Sequence, residues 1–173
     1  GIAGLHVPGT GITDYTTVSE KYAEILKRAG GSLFLGTQVV GLTRKANETV
    51  VNTTMGDYAT RFVVNCAGLH SDRVSELAGE RREVRIVPFR GEYYQLRKER
   101  EHLVRHLIYP VPDPTFPFLG VHFTRLIHGG IEAGPNAVLA FAREGYKWTD
   151  FNLLDFAESL TFPGLWKFLK KYP

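Results

Sequence analysis

The clearest structural signal in the sequence is residues 118–134, which read FLGVHFTRLIHGGIEAG. His122 and Thr124 alternate with apolar neighbours, which is the period-two pattern of a β-strand with one face more polar than the other. A turn at residues 128–129 then leads into a second apolar run. We therefore predict two antiparallel strands joined by this turn.

The sequence on both sides of this hairpin extends the antiparallel part. Residues 83–96 form a long strand pattern that Pro88 and Gly91 interrupt, which indicates a bend or a bulge. Residues 106–109 form a further short strand pattern. Residues 110–117 contain four prolines and are predicted to be a stiff loop. The second half of the chain is therefore predicted to be an antiparallel sheet.

The first half of the chain combines a helix with short strands. Apolar side chains recur at helical spacing between Val18 and Leu26, with an N-cap at Thr16 or Thr17 and a glycine stop at Gly30. Short strand patterns follow at residues 32–35, 39–43 and 49–54.

A nearly continuous apolar run, residues 59–65, precedes the next helix. Such a run is typical of a strand that is buried on both faces, as in a parallel sheet. It ends at the small residues Ala67 and Gly68, and a helix is predicted from Ser71 to Ala78. The backbone N–H groups of such a turn can approach a phosphate or a flat cofactor closely, although a plain tight turn explains the pattern equally well.

This order of elements predicts a fold on the border of α+β and α/β, with two structural units interleaved in one chain. The antiparallel sheet is assigned to residues 1–12 and 84–150. Residues 13–83 are assigned to a partial α/β portion, and residues 151–173 to terminal helices.

The composition is that of an ordinary globular protein. The chain has 173 residues, of which 43% are hydrophobic and 23% charged, and this excludes a disordered or fibrous chain. A net charge of +3 is too small to indicate nucleic-acid binding. No apolar run reaches the roughly 18 residues of a membrane span. The single cysteine, Cys66, excludes an internal disulfide and fits a reducing, cytoplasmic compartment.

Three polar side chains of the predicted sheet are candidates for chemistry. Arg90, next to Gly91, is either a surface ion pair or a clamp for a carboxylate. Tyr109 can add a hydroxyl group. A neutral His122 can accept a proton from a substrate hydroxyl, and a half-buried structural histidine is the alternative. Residues 134–137 are either a turn or a place where backbone and an amide reach a ligand.

Other motifs point to no chemistry. Residues 9–11 read GTG but lack the third glycine and the preceding strand of a dinucleotide-binding loop, so we interpret them as a turn. Cys66 has no evident base partner and is interpreted as a buried structural thiol. The six histidines show no metal-ligand pairing, so we predict no metal site.

Four sequence blocks resemble the L-2-hydroxyglutarate oxidase/dehydrogenase family of FAD enzymes, within the D-amino-acid-oxidase-like group. These blocks are PFRGEY at 88–93, HLIYPVPDP at 106–114, PFLGVHFT at 117–124 and GPNAVLAFAREGY at 134–146. The resemblance implies a flavoenzyme of two domains. In that reading residues 13–83 are an incomplete FAD-binding portion, joined to an antiparallel-sheet substrate domain with flanking helices.

The chemistry that the resemblance implies is oxidation of L-2-hydroxyglutarate to 2-oxoglutarate, with a hydride passing to flavin N5. Electrons then pass to oxygen or to a membrane acceptor, which implies a cytoplasmic enzyme or one peripheral at the inner membrane. Arg90, Tyr109 and His122 are expected on the substrate face. The residues expected to contact FAD are Val39, Ala67, Gly68, Leu69, Pro135 and Asn136.

The chain also departs from the family, because it lacks the GxGxxG loop and the C-terminal segment that completes the FAD domain. We therefore expect a central fragment that is inactive and colourless alone and that self-associates through exposed apolar surface. Two other functions stay open. One is an amino-acid or amine oxidase of the same fold, in which Arg90 still holds a carboxylate. The other is a non-catalytic module that binds a small acid or a protein.

Overall fold

The computed structural model describes residues 3–115 and 117–172. The helices are α1 Tyr15–Arg28, α2 Ser71–Leu77, α3 Leu153–Leu160 and α4 Pro163–Lys171, and the strands are β1 Val39–Arg44, β2 Thr49–Thr53, β3 Gly56–Thr60, β4 Phe89–Gln95, β5 His122–Arg125 and β6 Ile131–Leu139. The strands form two three-stranded sheets, in the orders β1-β2-β3 and β4-β6-β5. The predicted mixture of helices with antiparallel sheet is confirmed.

The chain folds as two compact units, and each unit is built from two separate stretches of sequence. Unit 1 contains Gly1–Leu33 and Gly91–Ala137, and unit 2 contains Phe34–Arg90 and Val138–Pro173. The assignment of residues to a FAD-binding portion and a substrate domain is a functional one and stays a prediction. None of the described helices is long and apolar enough to cross a membrane.

Helix α1 of unit 1 begins at a carboxylate cap. The Asp14 side chain accepts the Thr16 N–H at 3.0 Å and the Thr17 hydroxyl at 2.8 Å. The prediction of an N-cap at Thr16 or Thr17 is therefore wrong by two or three residues, because the Asp14 oxygens satisfy these donors first. The helix ends as predicted, with Gly30 at φ +83°, a conformation that glycine adopts readily.

The predicted hairpin forms in unit 1, with a shorter first strand and a longer second one. Strand β5 pairs antiparallel with β6, and His122 lies opposite Gly134. Of the strand predicted over residues 106–109, a single bridge remains: Ile108 exchanges two backbone hydrogen bonds with Phe123, at 3.0 and 2.9 Å. Ile131, at the start of β6, is fully buried.

Unit 2 contains the antiparallel sheet β1-β2-β3, and here one prediction is wrong. Strand β3 ends at Thr60, and residues 61–67 lie outside the strands. Phe62 and Val64 are 84% and 83% exposed, so this run is neither buried nor part of a parallel sheet. It pairs with no named strand in the described part of the chain, and an apolar run that pairs with nothing cannot bury two faces.

The helices of unit 2 follow the predicted pattern closely. Helix α2 ends before Gly79, and the Asn152 side chain caps α3 by accepting the Asp155 N–H at 3.1 Å. Helix α4 begins with a proline and buries Leu165. Its Phe168 ring packs against Phe89 at the start of β4, with ring centroids 5.7 Å apart. The strand predicted over residues 83–96 is confined to β4.

Candidate functional site

His122 and Tyr109 form a stacked pair in unit 1. Their ring centroids are 4.2 Å apart and the planes differ by 16°. The backbone bridge between Ile108 and Phe123 explains this arrangement, because it places the next residue of one segment beside the previous residue of the other. The Tyr109 hydroxyl also lies 3.0 Å from Thr124 Oγ1. The tyrosine ring is therefore held both by its stacking on His122 and by its hydroxyl group.

The position of the hydrogen on His122 follows from its hydrogen bond. The ring Nδ1 lies 2.9 Å from the carbonyl oxygen of Gly120, and a carbonyl oxygen only accepts. Nδ1 therefore carries the hydrogen of the neutral ring, and Nε2 holds the lone pair. The residue is only 8% exposed, and its orientation is fixed by Gly120 and Tyr109. A neutral imidazole in this state is suited to accept a proton at Nε2.

Pro135 and Asn136 lie within β6, rather than at a turn that closes it. The strand continues to Leu139, so the prediction that it ends near Gly134 is wrong. A Cβ on Gly134 would lie 2.6 Å from the Tyr93 ring, so only glycine permits this close approach opposite His122. Pro135 packs beside Gly91, and Asn136 is exposed.

Arg90 belongs to unit 2 and is 7% exposed. This burial excludes the surface ion pair that the sequence left open. The guanidinium lies 4.1 Å from the centre of the Trp148 ring, within the range of a cation–π interaction. Trp148 was not singled out from the sequence. An arginine followed far along the chain by an exposed tryptophan gives no local signal of this contact.

The turn at residues 67–69 is held in shape by side chains of unit 2. Asn65 accepts the Ala67 N–H at 3.1 Å and donates to the Ser71 carbonyl at 2.8 Å. Gly68 has φ +53° and nothing lies within 4 Å of the place where a Cβ would be, so its outer side is open. The Leu69 carbonyl accepts a hydrogen bond from Arg143 at 2.5 Å. The remaining expected FAD contact, Val39, is the first residue of β1 and pairs with Thr53.

Sequence reasoning missed the largest polar feature of unit 2, which we call the arginine–carboxylate cluster. It joins three arginines to three acidic residues: Arg73, Arg82, Arg143, Asp72, Asp155 and Glu158. One signal could have been found, because Asp155 and Glu158 are three residues apart and therefore share one face of α3. Their arginine partners lie elsewhere in the sequence, where spacing gives no indication.

Arg143 is the centre of this cluster, with a side chain that is only 1% exposed. Its guanidinium contacts both carboxylate oxygens of Asp72, with an Nη2–Oδ2 distance of 2.8 Å. Nη2 also lies 3.2 Å from Glu158, and the backbone N–H donates to Asp155 at 2.8 Å. The fork geometry of arginine suits this bidentate contact, and lysine cannot reproduce it.

The contacts of the cluster shift the pKa values of Asp72, Glu158 and Arg143 in the direction that keeps these groups charged. Burial raises the pKa of Asp72, but hydrogen bonds from Arg143 and from the Ile86 N–H outweigh burial and hold this pKa well below its usual range. The pKa of Glu158 is also lowered, because hydrogen bonds from Arg73 and Arg82 outweigh its burial. The hydrogen bond to Asp72 raises the pKa of Arg143 further above its ordinary value.

These pKa shifts predict that acid destabilises unit 2. A carboxyl whose pKa is lower in the folded state stabilises the fold fully above its unfolded pKa, which is about 4. This contribution is lost as the pH falls from there through the lower folded pKa of Asp72 and Glu158. We expect the free energy of unfolding to decrease steadily below pH about 4, measured by urea unfolding at several pH values. The same series on Asp72→Asn is the control, and a slope equal to that of the unchanged protein would contradict the assignment to Asp72.

Two further sequence interpretations concern thiol and metal chemistry. Cys66 is exposed, so the interpretation as a buried structural thiol is wrong. It lies in the extended run that pairs with no named strand in the part of the chain that the structure describes. Within residues 3–115 and 117–172, no group of three His, Cys, Asp or Glu side chains is arranged to hold a metal ion.

Comparison with known proteins gives consistent matches along the chain. The family model DAO, described as FAD dependent oxidoreductase, matches residues 1–171. L-2-hydroxyglutarate dehydrogenase of Indibacter alkaliphilus is 54% identical over 173 residues, covering 99% of this chain and 43% of that protein. The mitochondrial L-2-hydroxyglutarate dehydrogenase of Homo sapiens is 44% identical over 180 residues, covering 96% of this chain and 39% of that protein.

Among solved structures, L-proline dehydrogenase from P. horikoshii is similar with a TM-score of 0.45 and 20% identity, covering 88% of this chain and 40% of that one. The chain therefore spans about two fifths of the length of the curated relatives that it matches.

Proposed function

Because the chain belongs to the DAO family of FAD-dependent oxidoreductases, we propose that the whole protein oxidises L-2-hydroxyglutarate to 2-oxoglutarate. The observation that carries the proposal is 54% identity over 99% of the chain to a protein named L-2-hydroxyglutarate dehydrogenase. The curated relatives are more than twice as long as the chain, so the activity is proposed for the whole protein. Within it, we assign residues 13–83 to a part of the FAD-binding portion, residues 1–12 and 84–150 to the antiparallel sheet of the substrate domain, and residues 151–173 to the terminal helices of that domain.

The turn at residues 67–69 fits a flat cofactor. Gly68 is open on the side where a Cβ would stand, and Ala67 is small, so a ring can approach this backbone. We propose that this turn contacts FAD, as does Val39 of the same unit. For Pro135 and Asn136, which belong to unit 1, a contact with FAD is a separate proposal. When bound, FAD supplies the acceptor for the hydride that leaves the hydroxyl-bearing carbon.

We assign the role of general base to His122. Oxidation of an alcohol to a ketone removes a hydride from carbon and a proton from oxygen, so a base must take the proton. In the neutral ring Nε2 is the free acceptor, and Nδ1–H already donates to Gly120. This hydrogen bond persists after Nε2 has taken the proton, so Gly120 stabilises the imidazolium that results. Tyr109 keeps the ring in place from one face.

Arg90 is proposed as a residue that binds a carboxylate of the substrate. An arginine fork donates hydrogen bonds to both oxygens of a carboxylate at once, which suits a substrate that carries carboxylates. Trp148 covers one face of the guanidinium, 4.1 Å from its ring centre. The final electron acceptor of the whole protein would be oxygen or a membrane electron acceptor.

The experiment that tests the function uses the intact protein with bound FAD and excludes oxygen. We expect L-2-hydroxyglutarate to bleach the flavin absorbance within seconds and to yield 2-oxoglutarate, while D-2-hydroxyglutarate, glycine and sarcosine leave the flavin oxidised. Bleaching by glycine or sarcosine instead would favour an amine or amino-acid oxidase. Tight binding of the dicarboxylate with no reduction would favour a binding module.

Replacing Arg90 by lysine is expected to weaken substrate binding by about 1–3 kcal/mol, because the bidentate, charge-assisted contact is lost. The KM for L-2-hydroxyglutarate should rise accordingly, with a smaller change in kcat. Arg97→Lys is the matched control, because Arg97 is exposed and should leave KM unchanged. An unchanged KM in Arg90→Lys would contradict the carboxylate role.

A further inference from the structure

We propose that Arg143 is a positioning residue that holds the turn at residues 67–69 in the shape that binds FAD. The inference rests on the proposed function in one respect, the placement of FAD against this turn. It goes beyond that function because it assigns an effect on FAD affinity to a side chain that lies behind the turn. The effect is separate from the chemistry assigned to His122 and Arg90.

The contacts of the Arg143 guanidinium carry the proposal. Nη1 donates to the Leu69 carbonyl at 2.5 Å, and it also contacts Oδ1 of Asp72. Asp72 is the second residue of α2, the helix that follows the turn directly. One guanidinium therefore holds both the last residue of the turn and the start of the next helix. The relative position of these two backbone segments depends on it.

Arg143 is itself fixed by the helix α3. Its backbone N–H donates to Asp155 at 2.8 Å, and Nη2 lies 3.2 Å from Glu158. A side chain that is almost completely buried and bound at both its backbone and its guanidinium end has little freedom to move. Because Arg143 is fixed in this way, its contact with Leu69 also fixes the position of the turn. A surface that binds a rigid ring has to keep its shape.

Glu144, the residue after Arg143, makes a similar contact at the surface. Glu144 Oε1 lies 3.2 Å from Nε2 of His70. Two consecutive residues, Arg143 and Glu144, therefore contact two consecutive residues, Leu69 and His70. The outer contact is exposed and worth little in energy, so the buried one is expected to dominate.

The competing explanation is that the arginine–carboxylate cluster only stabilises the fold. A variant of Arg73 distinguishes this explanation from a positioning role of Arg143. Arg73 donates to Asp155 at 2.5 Å and to Glu158 at 2.9 Å, and these two contacts join α2 to α3. It belongs to the same cluster, but among the described hydrogen bonds of the cluster it is Arg143 that reaches the Leu69 carbonyl. Arg73→Lys is therefore matched to Arg143→Lys in residue type and in cluster membership.

The test is a titration of FAD into the apoprotein form of the intact enzyme, followed by the quenching of flavin fluorescence. We expect Arg143→Lys to raise the Kd for FAD about tenfold, and Arg73→Lys to change it by less than about twofold. Both variants should lower the melting temperature. An equal rise of Kd in both variants, or an unchanged Kd in Arg143→Lys, would overturn the positioning role. The Kd for FAD and the melting temperature do not depend on which substrate is oxidised. The result can therefore be interpreted even if the proposed substrate is wrong.

A measurement on the unchanged protein covers the case in which Arg143→Lys does not fold. Because coupling between two sites is reciprocal, FAD should slow hydrogen exchange both at residues 65–72 and at residues 140–146. Slower exchange at the turn alone would overturn the role of Arg143. No change at either segment would overturn the placement of FAD on this turn, and the inference with it.

Discussion

Replacing His122 by alanine is expected to lower kcat for L-2-hydroxyglutarate about 10²–10⁴-fold, which is the usual contribution of a general base. The reason is the state of the ring, in which Nδ1–H donates to Gly120 and Nε2 is the acceptor. Without this nitrogen the side chain offers no acceptor for the hydroxyl proton. The measurement is steady-state kinetics of the intact enzyme, together with the rate of flavin reduction when oxygen is excluded.

Two control variants separate the chemical role of His122 from a packing role. His122→Gln keeps a polar side chain of similar size but has no ring nitrogen that titrates, so it should remain as slow as His122→Ala. His106→Ala removes an exposed histidine from the same unit and should keep kcat unchanged. A variant His122→Ala with normal kcat but lower melting temperature would show that the ring serves packing alone.

The parts of the fold that the sequence predicts well are those with local causes. Helices α1, α2 and α4 lie within a few residues of their predicted positions, because apolar spacing and glycine stops act within one element. The alternation around His122 also predicts the hairpin of β5 and β6. The wrong prediction over residues 59–65 has a non-local cause: whether an apolar run becomes a buried strand depends on what pairs with it.

In the candidate site, too, features with local causes follow from the sequence and features that depend on tertiary contacts do not. The position of His122 on a strand follows from alternation, but its tautomer depends on a carbonyl two residues away and its stacking on Tyr109 depends on a bridge between segments. The burial of Arg90 by Trp148 joins residues 58 positions apart, and Arg143 contacts Asp72 over 71 positions. Contacts of this kind arise from tertiary packing, which a single sequence does not display.

Replacing Asp72 by asparagine is expected to lower the free energy of unfolding by about 3–5 kcal/mol, the usual cost of breaking a buried ion pair from one side. The side chain of Arg143 is almost completely buried, so its charge cannot turn to water when the carboxylate is lost. The asparagine amide would also direct N–H groups at the guanidinium, which has only donors. The measurement is denaturant unfolding of the intact protein near neutral pH.

The matched control for Asp72→Asn is Glu48→Gln, which removes a partly exposed carboxylate 3.0 Å from Lys45 in the same unit. We expect this variant to lower the free energy of unfolding by at most about 1 kcal/mol, because water solvates the remaining partner of such an ion pair. The double variant Asp72→Asn, Arg143→Gln should lose less stability than the two single variants lose together, since it removes both partners of their contact at once. If the two single effects on the free energy of unfolding simply added up, the two side chains would not depend on each other. Asp72 and Arg143 would then not be the central pair of the cluster.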